Sequence, residues 1–189
     1  MLAWSSGDVT TCDVTDSSLN DMSDLFFNKT VFDQDLSAWD TSSVTSMSYM
    51  FSGATSLTSV SLPQTGNVLN MGLMFSGATS LTSVSLPTTG AVTNMGSMFS
   101  NATSLTSVSL PQTGGVSNMS KMFYDATALT SVTLPTTGIV TTMRLMFAGA
   151  TSLTSVSLPQ TGAVLDMGYM FRGASAFNQD IGDWNTSSV

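Results

Sequence analysis

The chain has 189 residues, with 12 Asp against 4 Lys and Arg and neither His nor Glu, for a formal net charge of −8. With no His and one Cys, zinc sites, Cys/His nucleophile pairs and a Ser-His-Asp triad are excluded or lack a partner. Four cations cannot neutralise a run of phosphates, and no apolar run approaches the roughly 18–20 residues that cross a bilayer, so neither nucleic acid nor membrane insertion is expected.

From the start, Met1-Leu2-Ala3-Trp4 leads straight into polar residues, without the basic and apolar regions of a secretory signal. Trp4, Val9 and Cys12 repeat the spacing of Trp39, Val44 and Met47, which puts the lone Cys in a methionine slot as a small buried apolar residue. Leu19, Met22, Leu25 and Phe26 match Val44, Met47, Met50 and Phe51 with a period of 25. Eight of the 12 Asp lie at or before Asp40, which fits a charged, solvated end. Residues 1–49 are therefore expected to be divergent repeats that cap the fold at its N-terminal side.

The body is a repeat. Met-Phe recurs at Met50-Phe51, Met74-Phe75, Met98-Phe99, Met122-Phe123, Met146-Phe147 and Met170-Phe171, always 24 apart, and the five prolines share that period. Residues 50–169 are thus five units of 24, a period that marks a solenoid. Within one unit, Val84 and Leu86 alternate with Ser83 and Ser85, as in a short strand with one buried face. Pro87 ends that strand and Thr89-Gly90 supplies a turn. Val92, Met95, Met98 and Phe99 follow at i, i+3, i+6 and i+7, a spacing that predicts one or two turns of α or 3₁₀ helix. Ala102 is small enough for the chain to bend back toward Leu105. A lone unit of this kind cannot offset the entropy of ordering its residues, so stacking must supply the stability.

Toward the C-terminus, Ala176-Phe-Asn-Gln-Asp-Ile-Gly-Asp-Trp-Asn-Thr-Ser-Ser-Val189 matches Val31-Phe-Asp-Gln-Asp-Leu-Ser-Ala-Trp-Asp-Thr-Ser-Ser-Val44. Residues 170–189 read as a partial repeat. The pattern calls for a further Met-x-x-Met-Phe after Val189, which is expected of a piece cut from a longer array.

The string Leu-Thr-Ser-Val-Ser-Leu-Pro followed by Val-x-x-Met-x-x-Met-Phe resembles the BspA-like leucine-rich repeats. The Phe-x-Gln-Asp and Trp-[Asp/Asn]-Thr-Ser-Ser-Val units resemble the bacterial surface protein repeats of mycoplasma and Listeria lipoproteins. The chain departs from the first pattern in carrying Thr after the small Ala54 and Ala78, where such units often have Cys. The resemblance implies a leucine-rich-repeat-like right-handed coil, with one parallel β-sheet face and short helical or 3₁₀ turns opposite. A parallel β-helix is the alternative. It also implies an extracellular or cell-surface adhesion protein.

Candidate binding residues follow from the repeat. Two columns should face solvent from the sheet, Ser59, Ser83, Ser107, Ser131 and Ser155 in one, and Ser61, Ser85, Ser109, Thr133 and Ser157 in the other. A third row, Thr65, Thr89, Thr113, Thr137 and Thr161, follows the prolines beside Gln64, Thr88, Gln112, Thr136 and Gln160. Such hydroxyls could contact a host-surface protein or glycan by multivalency, could order water as an ice-binding face, or could be small soluble residues of a structural spacer in a surface or fibre protein. End-to-end self-association is a further partner mode. Asp33-x-Asp35 and Asp180-x-x-Asp183 lack the ligand count and glycine spacing of a calcium loop, and periodic Met beside Phe describes an adaptable core. No cofactor, metal or catalytic residue is implied, because Asp is the sole general base and repeats leave no unique pocket.

Overall fold

A computed structural model describes residues 20–86, 89–110, 112–134, 137–158 and 160–189. The pattern around Trp4, Val9 and Cys12 and the turns at Pro87, Pro111, Pro135 and Pro159 lie outside those residues.

Each full unit contributes one three-residue strand: β1 (Ser59–Ser61), β2 (Ser83–Ser85), β3 (Ser107–Ser109), β4 (Ser131–Thr133) and β5 (Ser155–Ser157). They form one parallel sheet in the order β1-β2-β3-β4-β5, with unit-to-unit register such as Ser59 with Ser83 and Val132 with Val156. Sequence order equals spatial order because each strand is followed by a whole coil that returns the chain one rung further along. The architecture is the expected solenoid with one parallel sheet face.

Inside the coil, Leu81, Val92, Met95, Met98, Phe99, Ala102 and Leu105 are fully buried, and the same positions are buried in unit after unit. The phenylalanines form a continuous stack along the axis. Phe51 to Phe75, Phe75 to Phe99, Phe99 to Phe123 and Phe123 to Phe147 have ring centroids 5.4–5.6 Å apart and planes within 5° of parallel. Offset stacking at this distance adds to area burial, and a 24-residue period is what keeps the rings in phase. At each end a second Phe closes the stack, Phe32 at 4.0 Å from Phe26 and Phe177 at 4.1 Å from Phe171. Trp39 and Trp184 flank them at 5.9 and 6.0 Å. The Phe-x-Gln-Asp and Trp motifs thus build the two ends of the aromatic column.

The segment opposite the sheet differs from the predicted helical turns. Its backbone N–H groups alternate in direction. Met71, Leu73, Phe75 and Gly77 donate to the next unit, at Asn94, Gly96, Met98 and Ser100 carbonyls, at 2.8–3.0 Å. Met74, Ser76 and Ala78 donate locally, three residues back, at 3.1–3.3 Å. Two residues per unit take left-handed backbone, Leu73 at φ 56° and Gly77 at φ 72° in this one. Linked turns of this kind reproduce the i, i+3 burial spacing of a helix while leaving half the N–H groups free to bond between units. A helix would instead direct its N–H groups along its own axis rather than toward the next unit.

A second column of parallel bridges runs along this side, through Asp21, Ser46, Asn70, Asn94, Asn118, Thr142 and Asp166. The Asn70 and Asn94 side-chain oxygens accept from the Gly72 and Gly96 N–H at 3.0 Å, and Asn94 and Asn118 each donate to the preceding Asn at 3.0 and 3.1 Å. Among the described residues no helix is long and apolar enough to cross a membrane.

Candidate functional site

The strands place their serines as the alternation predicts. Ser59, Ser61, Ser83, Ser85, Ser107, Ser109, Ser131, Thr133, Ser155 and Ser157 are all exposed, while the valines between them point inward. None of these ten hydroxyls is hydrogen-bonded to another described residue. With strands about 4.8 Å apart, they form two parallel lines of donors and acceptors over five rungs.

Other hydroxyl columns are already committed. Thr82, Thr130 and Thr154 donate to the Thr58, Thr106 and Thr130 carbonyls one unit back, at 3.0, 3.3 and 3.1 Å. Thr93, Ser117 and Thr141 donate in the same manner to Leu69, Thr93 and Ser117, at 3.1–3.2 Å. These exposed Ser and Thr residues are zippers between units. Much of the composition bias, 60 Ser and Thr in 189 residues, therefore serves stacking.

The third predicted row is overturned. Thr65, Thr89, Thr113 and Thr137 are fully buried and Thr161 is nearly so, as is Thr41 in the divergent unit before them. Thr89 and Thr137 donate to the Gln112 and Gln160 carbonyls of the next unit, and Thr161 donates to the Asn185 carbonyl at 3.0 Å. The turn that follows, closed by Val92 N–H on the Thr89 carbonyl at 3.1 Å, folds the side chain under the backbone of the neighbouring coil. A buried hydroxyl needs a partner, and the adjacent carbonyl supplies it. These five threonines are structural, and an ice-binding surface that relied on them loses one of its rows.

Asp33 and Asp35 are both held by hydrogen bonds, one to the next unit and one locally. The Asp33 carboxylate accepts from the Thr58 N–H at 2.9 Å and the Thr58 hydroxyl at 3.0 Å. Asp35 accepts from the Ser37 N–H at 2.8 Å and its hydroxyl at 3.0 Å, which hold the Asp35 carboxyl below the ordinary carboxylate range. Among the described residues no group of three or more potential metal ligands comes together. Asn70, Asn94 and Asn118 were not among the predicted functional residues. Their recurrence every 24 residues just before a Met was the available signal.

An open parallel sheet of short strands on a Leu, Val, Met and Phe core defines a leucine-rich-repeat solenoid. Similar solved structures are a leucine-rich-repeat protein of T. pallidum (20% identity, TM-score 0.62, covering 83% of this chain and 70% of that one) and a leucine-rich cell surface protein of Faecalibacterium prausnitzii (27%, 0.55, covering 69% and 35%). A leucine-rich-repeat protein of Eubacterium ventriosum is similar at 19% identity and a TM-score of 0.53, covering 74% of this chain and 43% of that one. The chain thus spans less than half the length of the last two. The chain belongs to the family described as "Mycoplasma protein of unknown function, DUF285", which matches residues 4–110, 59–135 and 117–189. No curated protein matches it in sequence.

Proposed function

We propose that this protein is a non-catalytic binding module of a bacterial surface protein, which engages a host-surface protein or glycan through the serine columns of its sheet. One observation carries the reading. The ten strand hydroxyls are exposed and make no hydrogen bond to another described residue, whereas neighbouring hydroxyl columns are spent on unit-to-unit zippers. A rigid face of repeated weak contacts gains affinity by multivalency. The likeness to the Faecalibacterium cell surface protein supports surface display.

The test is alanine replacement of Ser83, Ser85, Ser107 and Ser109 together, followed by binding to host cells and to a glycan array. These side chains make no hydrogen bond to another described residue, so the variant is expected to keep its thermal midpoint within a few degrees while binding falls at least tenfold. Undiminished binding would remove the sheet face from the interaction.

A further inference from the structure

The two ends of the sheet are finished differently. At β5 the Gln179 side chain stands in for a sixth strand, its amide oxygen accepting from Val156 N–H at 2.7 Å and its nitrogen donating to the Val156 carbonyl at 2.9 Å. A primary amide carries the same donor and acceptor as a peptide unit, so it closes that edge.

At β1 the edge is open. Inside the sheet, paired strands lie in register, and at two rungs the residue after a strand also donates to the last strand residue of the next unit, Leu62 N–H to the Ser85 carbonyl at 3.4 Å and Leu134 N–H to the Ser157 carbonyl at 3.1 Å. Among the described residues, no backbone hydrogen bond joins the segment before β1 to Ser59, Val60 or Ser61. Facing β1 is the non-strand segment 33–36, which reaches the β1 unit through the Asp33 carboxylate on Thr58. A groove of about 510 Å³ lies over this end of the sheet face, reaching from segment 33–36 across β1 to β2 and bounded by Asp33, Asp35, Leu36, Ser59, Ser61 and Ser85 among others. That volume is in the range of ligand-sized sites. Val84, which also lines it, is the one strand valine that is not buried.

We propose that this groove seats an extended, basic segment of a partner protein, its backbone pairing with the open side of β1 and its Lys or Arg side chains meeting Asp33 and Asp35. The proposal rests on the reading of the sheet face as a binding surface and names what one end of it takes. Three observations select this occupant. The unfilled strand edge asks for main-chain donors, as in strand addition. Two carboxylates line the groove and, among the described residues, no Lys or Arg does, so a cation is the complementary charge. Among the described residues no aromatic ring lines the groove, which leaves no described ring for a sugar face to pack against.

The probe is fluorescein-labelled acetyl-(Lys-Val)4-amide, titrated with the full chain by fluorescence anisotropy at low salt. Saturable binding is expected, weakened at least tenfold by D33N together with D35N and by 0.5 M salt. Asn keeps the oxygen that accepts from Thr58 and Ser37, so circular dichroism should be unchanged; D35N alone is the fallback if the double variant unfolds. A peptide N-methylated along one edge should bind at least tenfold more weakly, and acetyl-(Glu-Val)4-amide should not bind. Asp180→Asn with Asp183→Asn, an exposed acidic pair outside the groove and the serine columns, should leave peptide binding as it was. Absent binding, equal binding of the acidic or N-methylated peptide, or indifference to the Asp variants overturns the proposal, as would a glycan whose binding depends on the same two Asp. If the peptide fails while the Ser83, Ser85, Ser107 and Ser109 variant still loses cell or glycan binding, the groove assignment falls and the face assignment stands.

Discussion

One slot in every unit, two residues after the Met-Phe phenylalanine, takes left-handed backbone, and its occupants are Asn28, Gly53, Gly77, Asn101, Asp125, Gly149 and Gly173. Those are the residue types that tolerate this conformation. A methyl added at Gly77 would meet its neighbours at ordinary contact distance, 3.7 Å or more, so Gly77→Ala pays for the backbone alone. A methyl at Gly149 would overlap Asp125 Oδ1, so the Asp125 side chain would have to move as well. Gly77→Ala is therefore expected to cost about 1–2 kcal/mol and Gly149→Ala more, read from urea midpoints. The same slot was the sequence's marker against a helix. Its Gly, Asn and Asp pattern is turn chemistry, but the i, i+3 burial of Val92, Met95 and Met98 satisfies both descriptions and draws attention to the commoner one. Thr89 teaches a related point. A Thr before Gly in a turn reads as exposed, and only the position of the next coil reveals that its hydroxyl is enclosed.

Strands of three residues are too short to stand alone, so each depends on the groups that finish its neighbours. Gln179 is the clearest case. Q179A removes both side-chain bonds to Val156 and leaves the β5 edge unpaired, which is expected to lower stability by about 1–3 kcal/mol. An open parallel edge also invites another chain, so light scattering should show added dimer at high protein concentration. An unchanged mass together with unchanged stability would mean the amide is not closing the sheet. The strands themselves, their register and the Phe column were legible from the period alone, because Val60, Val84 and their equivalents must align when every unit has 24 residues. The use of Gln as a strand substitute was not legible. Phe-x-Gln-Asp repeats at both ends, but nothing in a linear string says that an amide will lie against a strand edge.

Along the whole molecule charge is uneven, and so is its titration. Asp21 is held below the ordinary value of 3.8 by the Ser23 hydroxyl and N–H, Asp35 by the Ser37 N–H and hydroxyl, and Asp40 by the Ser42 hydroxyl and N–H. A carboxyl with a lower value folded than unfolded favours the fold while ionised. That contribution is complete above about pH 4 and is lost as pH falls through the lower folded values. All three lie within residues 21–40, so acid should loosen that end first. Hydrogen exchange is expected to speed up there before it does around Phe99 and Phe123, and replacing the three Asp with Asn should flatten the fall of the urea midpoint below about pH 4. Equal loosening throughout the chain would contradict this assignment.

The Gln179 amide has a consequence for how such a surface is lengthened. A segment that ends a strand column with its own side chain acts as punctuation. Every 24-residue copy placed before it adds one rung of free hydroxyls and one ring to the Phe column, while the terminating contact stays as it was. Recombination between near-identical units could therefore change the reach and avidity of the serine face one step at a time, without any end having to be redesigned.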